Sequence, residues 1–123
     1  IEAATMAEMV RRQILPAGQA ALRELGQTSR AKQEISPLLS CKAEELLGTQ
    51  IANYNDMLLA GCTLLENLLR DFPSGTEEQK ALYARDRLLP AMNELRQAAD
   101  ALEQMCPAHL WPMPTYGELL YGV

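Results

Sequence analysis

The chain has 123 residues and a mass of 13.6 kDa, the size of one ordinary domain. Apolar residues make up 48% and charged residues 22%, and 21 Leu and 17 Ala stand against only 4 Ile and 2 Val; this excludes a disordered chain and argues for helices, against sandwiches, barrels and nucleotide-binding α/β folds. A net charge of -5 without a basic stripe argues against nucleic acid, because a backbone-binding protein clusters Lys and Arg against phosphates.

The first helix is expected over residues 2–25. Met6, Val10, Ile14, Ala17 and Ala21 recur at spacings of four and three and mark one apolar face. Pro16 falls inside this pattern and supplies no N–H to the carbonyl of Arg12, which predicts a kink. Gly26 reads as the stop. Residues 26–36 are polar, lack an apolar stripe and read as a connector.

Ser36-Pro37 looks like an N-cap followed by a first-turn proline, opening a long helix to about Asp71. Leu47, Ile51, Tyr54, Leu58, Gly61, Leu65 and Leu68 alternate spacings of four and three, a heptad seam. Gly61 on that seam permits close approach of a neighbouring helix. Phe72-Pro73-Ser74-Gly75 breaks the helix, and Thr76 with Gln79 predicts a capping box for the next one. That helix runs to about Cys106 with the seam Leu88, Met92, Leu95, Ala99, Leu102 and Cys106. Pro90 lies inside it and Pro107 ends it.

The tail from Trp111 differs in character. Trp-Pro-Met-Pro is expected to be extended, since each residue before a proline is pushed away from helix. Thr115 and Glu118 form a second capping box that opens a short C-terminal helix through Tyr121. The strap is expected to pack across the bundle through Trp111, in which case Trp111→Ala costs about 3–5 kcal/mol. The whole is therefore an all-α domain over residues 1–123. It is an antiparallel bundle of three or four long helices, two of them with mid-helix prolines. There is one internal echo: Arg-Arg-Gln-Ile-Leu-Pro-Ala at 11–17 against Arg-Asp-Arg-Leu-Leu-Pro-Ala at 85–91.

No residue presents itself as catalytic, cofactor-binding or metal-binding. The one histidine, His109, lies in the tail and not on a helix face. Cys106 and His109 give two ligands where a structural zinc needs four. Glu44–Glu45 and Glu77–Glu78 are sequence neighbours that point apart on a helix, so neither pair forms a shared acid/base site. Arg11, Arg12, Arg85 and Arg87 flank the two prolines and read as solvated or ion-paired. The glycines are isolated, so there is no phosphate-cradling loop. Three well-separated cysteines, Cys41, Cys62 and Cys106, read as reduced thiols in a cytoplasmic protein. The longest apolar stretch, 57–65, is far short of a membrane span, and no signal peptide opens the chain.

The chain begins at Ile1 and is helical at once, which reads as a piece of a longer polypeptide. Three segments carry a resemblance. They are the opening Glu-Ala-Ala-Thr-Met-Ala-Glu-Met-Val-Arg-Arg-Gln-Ile-Leu-Pro-Ala, the stretch Arg-Asp-Arg-Leu-Leu-Pro-Ala-Met-Asn-Glu-Leu-Arg-Gln-Ala-Ala-Asp-Ala-Leu-Glu, and the closing Trp-Pro-Met-Pro-Thr-Tyr-Gly-Glu-Leu-Leu-Tyr. In this order they resemble the C-terminal helical region of type III glutamine synthetases, with residues 18–75 similar only in being helical. Tyr121 stands where the family pattern has Phe.

The resemblance implies a parent enzyme that is cytoplasmic, uses ATP and magnesium, joins ammonia to glutamate and assembles as a large homo-oligomeric ring. Its nucleotide, metal and glutamate sites would lie upstream of Ile1, so no catalytic residue is carried onto this chain. The segment would then be a non-catalytic module. Its partners would be the catalytic domain of the same polypeptide and the neighbouring subunits, with neither nucleic acid nor membrane among them. The cut would leave an exposed apolar patch, expected near the first helix or the tail. The alternative is a free-standing helical adaptor that presents a groove or its tail to another protein.

Overall fold

The computed structural model describes residues 2–112. All regular structure among them is helical, and it forms three rods joined by two short connectors. The first rod comprises α1 (Ala3–Met9), a π turn (Val10–Ile14) and α2 (Leu15–Ile35). The second is the single helix α3 (Lys42–Arg70). The third comprises α4 (Glu77–Tyr83), a second π turn (Ala84–Leu88) and α5 (Leu89–Met105). A 3-10 turn, Ala108–Leu110, follows. The tail's second capping box and its short C-terminal helix lie outside the described residues.

The second rod runs antiparallel to the other two and touches both. On one side the Cys62 thiol donates to the Ala7 carbonyl at 3.2 Å, and Asn55 packs on Gly18. On the other side Tyr83 donates its phenol O–H to the Leu68 carbonyl at 2.7 Å, and Gly61 abuts Leu95. A Cβ at Gly61 would lie 3.1 Å from Leu95 Cδ1, so the close approach read from the seam is present. The core is built from Val10, Ile14 and Ala21, from Ile51, Leu58, Cys62 and Leu65, and from Leu95 and Leu102. The first rod contributes mostly small residues (Ala3, Ala7, Ala17, Gly18, Ala21), which lets the second rod lie close against it.

Both mid-helix prolines are absorbed in the same way. The Leu15 N–H reaches back five residues to the Val10 carbonyl, and the Leu89 N–H to the Ala84 carbonyl. Each π turn ends two residues before its proline, so the missing proline donor falls where the ladder has already widened. The repeated Leu-Pro-Ala motif therefore has one structural meaning at both places.

Two expectations fail. Residues 26–35 are not a connector: α2 continues through Gly26 to Ile35, and Ser36 is its extended C-cap. Gln, Lys, Arg and Glu are good helix formers, and one interior glycine costs only about 1 kcal/mol. Tertiary contacts hold this end as well. Lys32 Nζ lies 2.7 Å from Glu44 and 3.1 Å from the Ser40 carbonyl. The second failure is Ser36-Pro37 as a helix start. Ser36 Oγ accepts from the Leu38 N–H at 3.1 Å and closes a turn, and α3 begins only at Lys42, where Ser40 Oγ accepts the Lys42 N–H at 3.2 Å. The capping box at the third rod is present on both arms, Gln79 N–H to Thr76 Oγ1 at 3.1 Å and Thr76 N–H to Gln79 Oε1 at 2.9 Å.

Candidate functional site

Among the described residues no three His, Cys, Asp or Glu side chains converge on a point that could hold a metal ion. Glu44 turns inward to Lys32, while Glu77 lies 3.5 Å from Lys80 in the next rod, so the adjacent acidic pairs are split between separate local partners. The arginines that flank the prolines are exposed, and three of them are ion-paired: Arg11 with Glu66, Arg12 with Glu8 and Arg85 with Asp86.

The most organised polar group stands beside the first π turn. Arg11 grips Glu66 with two parallel bonds, Nε at 3.0 Å and Nη2 at 2.7 Å. The guanidinium holds the Glu66 carboxyl below the usual carboxylate range, chiefly by hydrogen bonding. Cys62 lies just inside this pair. Burial raises its thiol, and the nearby Glu66 charge pushes it further the same way. A thiol held protonated and donating to the Ala7 carbonyl is a poor nucleophile, so the cluster ties two rods together and offers no reactive thiolate. Burial also raises the Cys106 thiol. All three cysteines are free.

His109 has a partner that its sequence neighbours do not announce. Its Nε2 lies 3.0 Å from Glu24 Oε1, which fastens the 3-10 turn to the first rod. Beside this contact is a cleft of about 270 Å³, walled mainly by Ala21, Leu25, Leu47, Ile51 and Met105, with Glu24 and Thr28 as its polar side chains. Trp111 follows at once and is half-buried against the core.

Among the described residues the exposed apolar surface lies mainly on the outer flank of α3 and at the end of α2 with the connector after it, where Ile35, Leu38 and Leu39 are uncovered; the tail, where such a patch is also expected, lies outside the described residues from 113 on. On α3, Leu46, Met57 and Leu64 are 61%, 54% and 47% exposed. With Gln50, Asn53, Ala60 and Asn67 they recur at spacings of four and three, giving a second, outward seam with no charged residue over 22 positions. The core seam of the same helix, through Ile51, Leu58 and Leu65, masks it in a simple reading of periodicity. The outward row is uncharged but mixed, with Leu46, Met57 and Leu64 as its large apolar side chains and Gln50, Asn53 and Asn67 between them. No described helix is long and apolar enough to cross a membrane.

No protein-family profile matches the chain, and no solved structure matches it. Over 75 residues it is 28% identical to a type-3 glutamine synthetase of Dictyostelium discoideum. The aligned stretch is 61% of this chain and 10% of that protein, so the chain spans about a tenth of the length of the relative it matches. The regular structure of the described residues is thus all helical, and the chain has a weak similarity to a type-3 glutamine synthetase.

Proposed function

We propose that the chain is a non-catalytic, C-terminal helical module of a cytoplasmic glutamine synthetase. Its parent would be an ATP- and magnesium-dependent ligase of ammonia and glutamate that assembles as a ring. The module braces the catalytic domain or the contacts between subunits. The similarity over 75 residues to a type-3 glutamine synthetase carries this reading. Two further observations support it. Arg11–Glu66 and Lys32–Glu44 tie neighbouring rods together and Thr76 with Gln79 caps a helix, all of them structural uses of polar side chains. The α3 flank also offers a charge-free seam of the kind a bracing element presents to a neighbour.

The test is made in the parent enzyme. Met57→Glu with Leu64→Glu places two charges on the outward seam without touching the core. The expected result is a smaller assembly by sedimentation and lower synthetase activity, with ATP affinity unchanged. An intact ring with full activity would contradict the bracing role. Loss of ATP affinity without loss of assembly would place this segment in the nucleotide site instead.

A further inference from the structure

The outward row of α3, from Leu46 to Asn67, is exposed at every position, and no described residue covers it. It spans 22 positions, about 33 Å of helix. Its polar members are all amides. An amide carries a donor and an acceptor, so it can pair with a copy of itself, as an apolar side chain can and a charged one cannot. Asn67 Oδ1 already accepts from Arg70 at 3.0 Å, which leaves Gln50 and Asn53 as the amide layers. A row of amides, apolar side chains and one alanine suits a partner that presents the same row.

The area points the same way. At the end of the bundle where α3 begins, Ile35 and Leu38 are 77% and 92% exposed, and Leu39 is uncovered as well. These three with Leu46, Met57 and Leu64 put roughly 400 Å² of apolar surface on each copy, taking about 100 Å² for a side chain wholly covered. Two copies, with Gln50, Asn53 and Ala60 added, reach about 1,000 Å², close to the smallest specific interfaces. That area suits a reversible dimer.

The charges beside the row choose the direction. Lys42, Asp56 and Arg70 recur at steps of fourteen residues along one flank and are exposed. An antiparallel pair that sets Leu46 against Leu64 brings the two Asp56 carboxylates together and puts Lys42 beside Arg70. A parallel pair meets neither repulsion, because Asp56 falls beside Gly61 of the second copy and Lys42 beside its Leu47. It also gathers the two apolar connectors at one end.

We propose that two copies of this chain associate in parallel through the outward row of α3, about a two-fold axis along the helix. Leu46, Met57 and Leu64 each meet their counterpart, and Gln50 and Asn53 pair amide to amide. This rests on the row itself and not on the synthetase reading, since the isolated chain can dimerise whatever its parent does.

The experiment uses the full 123-residue chain. Sedimentation velocity is run from about 1 to about 300 μM, the range in which a small interface associates. The expected mass rises with concentration from 13.6 kDa toward twice that value. Met57→Glu with Leu64→Glu should raise the dissociation constant at least about tenfold, with circular dichroism and melting point unchanged at low concentration, because both positions lie outside the core. Asn53→Asp, a smaller change, sets two like charges face to face and should weaken association too. Ala60→Cys tests the direction. In a parallel pair the two introduced thiols meet across the axis, and mild oxidation should join position 60 to position 60. Peptide mass spectrometry separates that bond from any made by Cys41 or Cys106. A chain that stays at 13.6 kDa over the whole range overturns the proposal. So does a dimer untouched by the substitutions at 57 and 64, which must use another face. A dimer that needs the row but forms no bond between the two positions 60 is not parallel, and the proposed arrangement is then wrong.

Discussion

Gly18 and Asn55 form the contact at which the packing of the first two rods is tested most sharply. Gly18 is buried in the first turn of α2, inside the continuous first rod, and the Asn55 side chain lies directly over it. A Cβ at Gly18 would sit 2.0 Å from Asn55 Oδ1, 2.9 Å from Cγ and 3.1 Å from Nδ2. Asn55 is only 7% exposed and has a short stem, so its amide has little room to withdraw. Gly18→Ala brings two opposed effects. Replacing an interior helical glycine gains about 0.5–1 kcal/mol. Forcing extra volume into a packed interface costs about 1–3 kcal/mol. The clash is severe, so the cost wins, and Gly18→Ala is expected to destabilise the chain by about 1–2 kcal/mol.

In an Asn55→Ala background the obstacle is gone, and the same Gly18→Ala change is expected to stabilise by about 0.5–1 kcal/mol. Asn55→Ala alone is expected to cost little. Neither amide atom of Asn55 has a hydrogen-bond partner among the described residues, so its removal also relieves a buried unpaired polar group. Urea unfolding followed by circular dichroism gives all four corners of the cycle. The reversal of sign is the point. If Gly18→Ala changes stability equally in both backgrounds, the two rods do not meet at this register.

Three further outcomes are expected. Trp111→Ala should cost about 2 kcal/mol, below the 3–5 kcal/mol of a fully buried indole, because the ring is half-buried; thermal or urea melts measure it, and no loss would mean the indole does not pack on the bundle. A thiol reagent at neutral pH should modify Cys41 and Cys106 before Cys62, which is 0% exposed and whose thiol burial pushes up; mass spectrometry of partly labelled protein gives the order, and early labelling of Cys62 would refute its burial. The stability that Glu66 contributes should be fully present above the ordinary carboxylate pKa of about 4.3 and be lost as pH falls through its lower folded value. Melting temperatures of wild type and Glu66→Gln, measured from pH 7 to pH 3, should therefore converge in acid; because the pair is largely solvent-exposed the gap at pH 7 is small, and a gap that widens in acid would reverse the sign of the argument.

Sequence periodicity exposed most of the fold because each rod has a dominant seam. Ile51, Leu58 and Leu65 in one, and Leu88, Leu95 and Leu102 in another, are spaced as a buried stripe must be, and all six are buried. The capping box at Thr76 was legible because it is a local device whose partners lie three residues apart. At residues 26–35 and at His109 the deciding contact is distant, whereas at Ser36 it is a local turn that competes with a helix cap. Residues 26–35 lack an apolar stripe, and their helix is anchored by Lys32 reaching Glu44 on the next rod. Ser36-Pro37 has the composition of a helix start, but its hydroxyl is used in a turn two residues long. The partner of His109 is 85 residues away. The prolines announced a disturbance of the helix, and the backbone answered with a π turn, which no side-chain pattern specifies. The outward seam on α3 was legible in principle, since Leu46, Met57 and Leu64 share one face. It was hidden by the stronger core seam of the same helix.

The claim on which the account rests is that this chain works as part of a larger enzyme. The direct measurement is the size of the native protein, by immunoblot of source cells with an antibody raised against residues 1–112. The account predicts a band several times larger than 13.6 kDa that co-sediments with glutamine synthetase activity. A band near 13.6 kDa, separate from that activity, would contradict it and leave a small helical adaptor whose partner must meet the seam on α3.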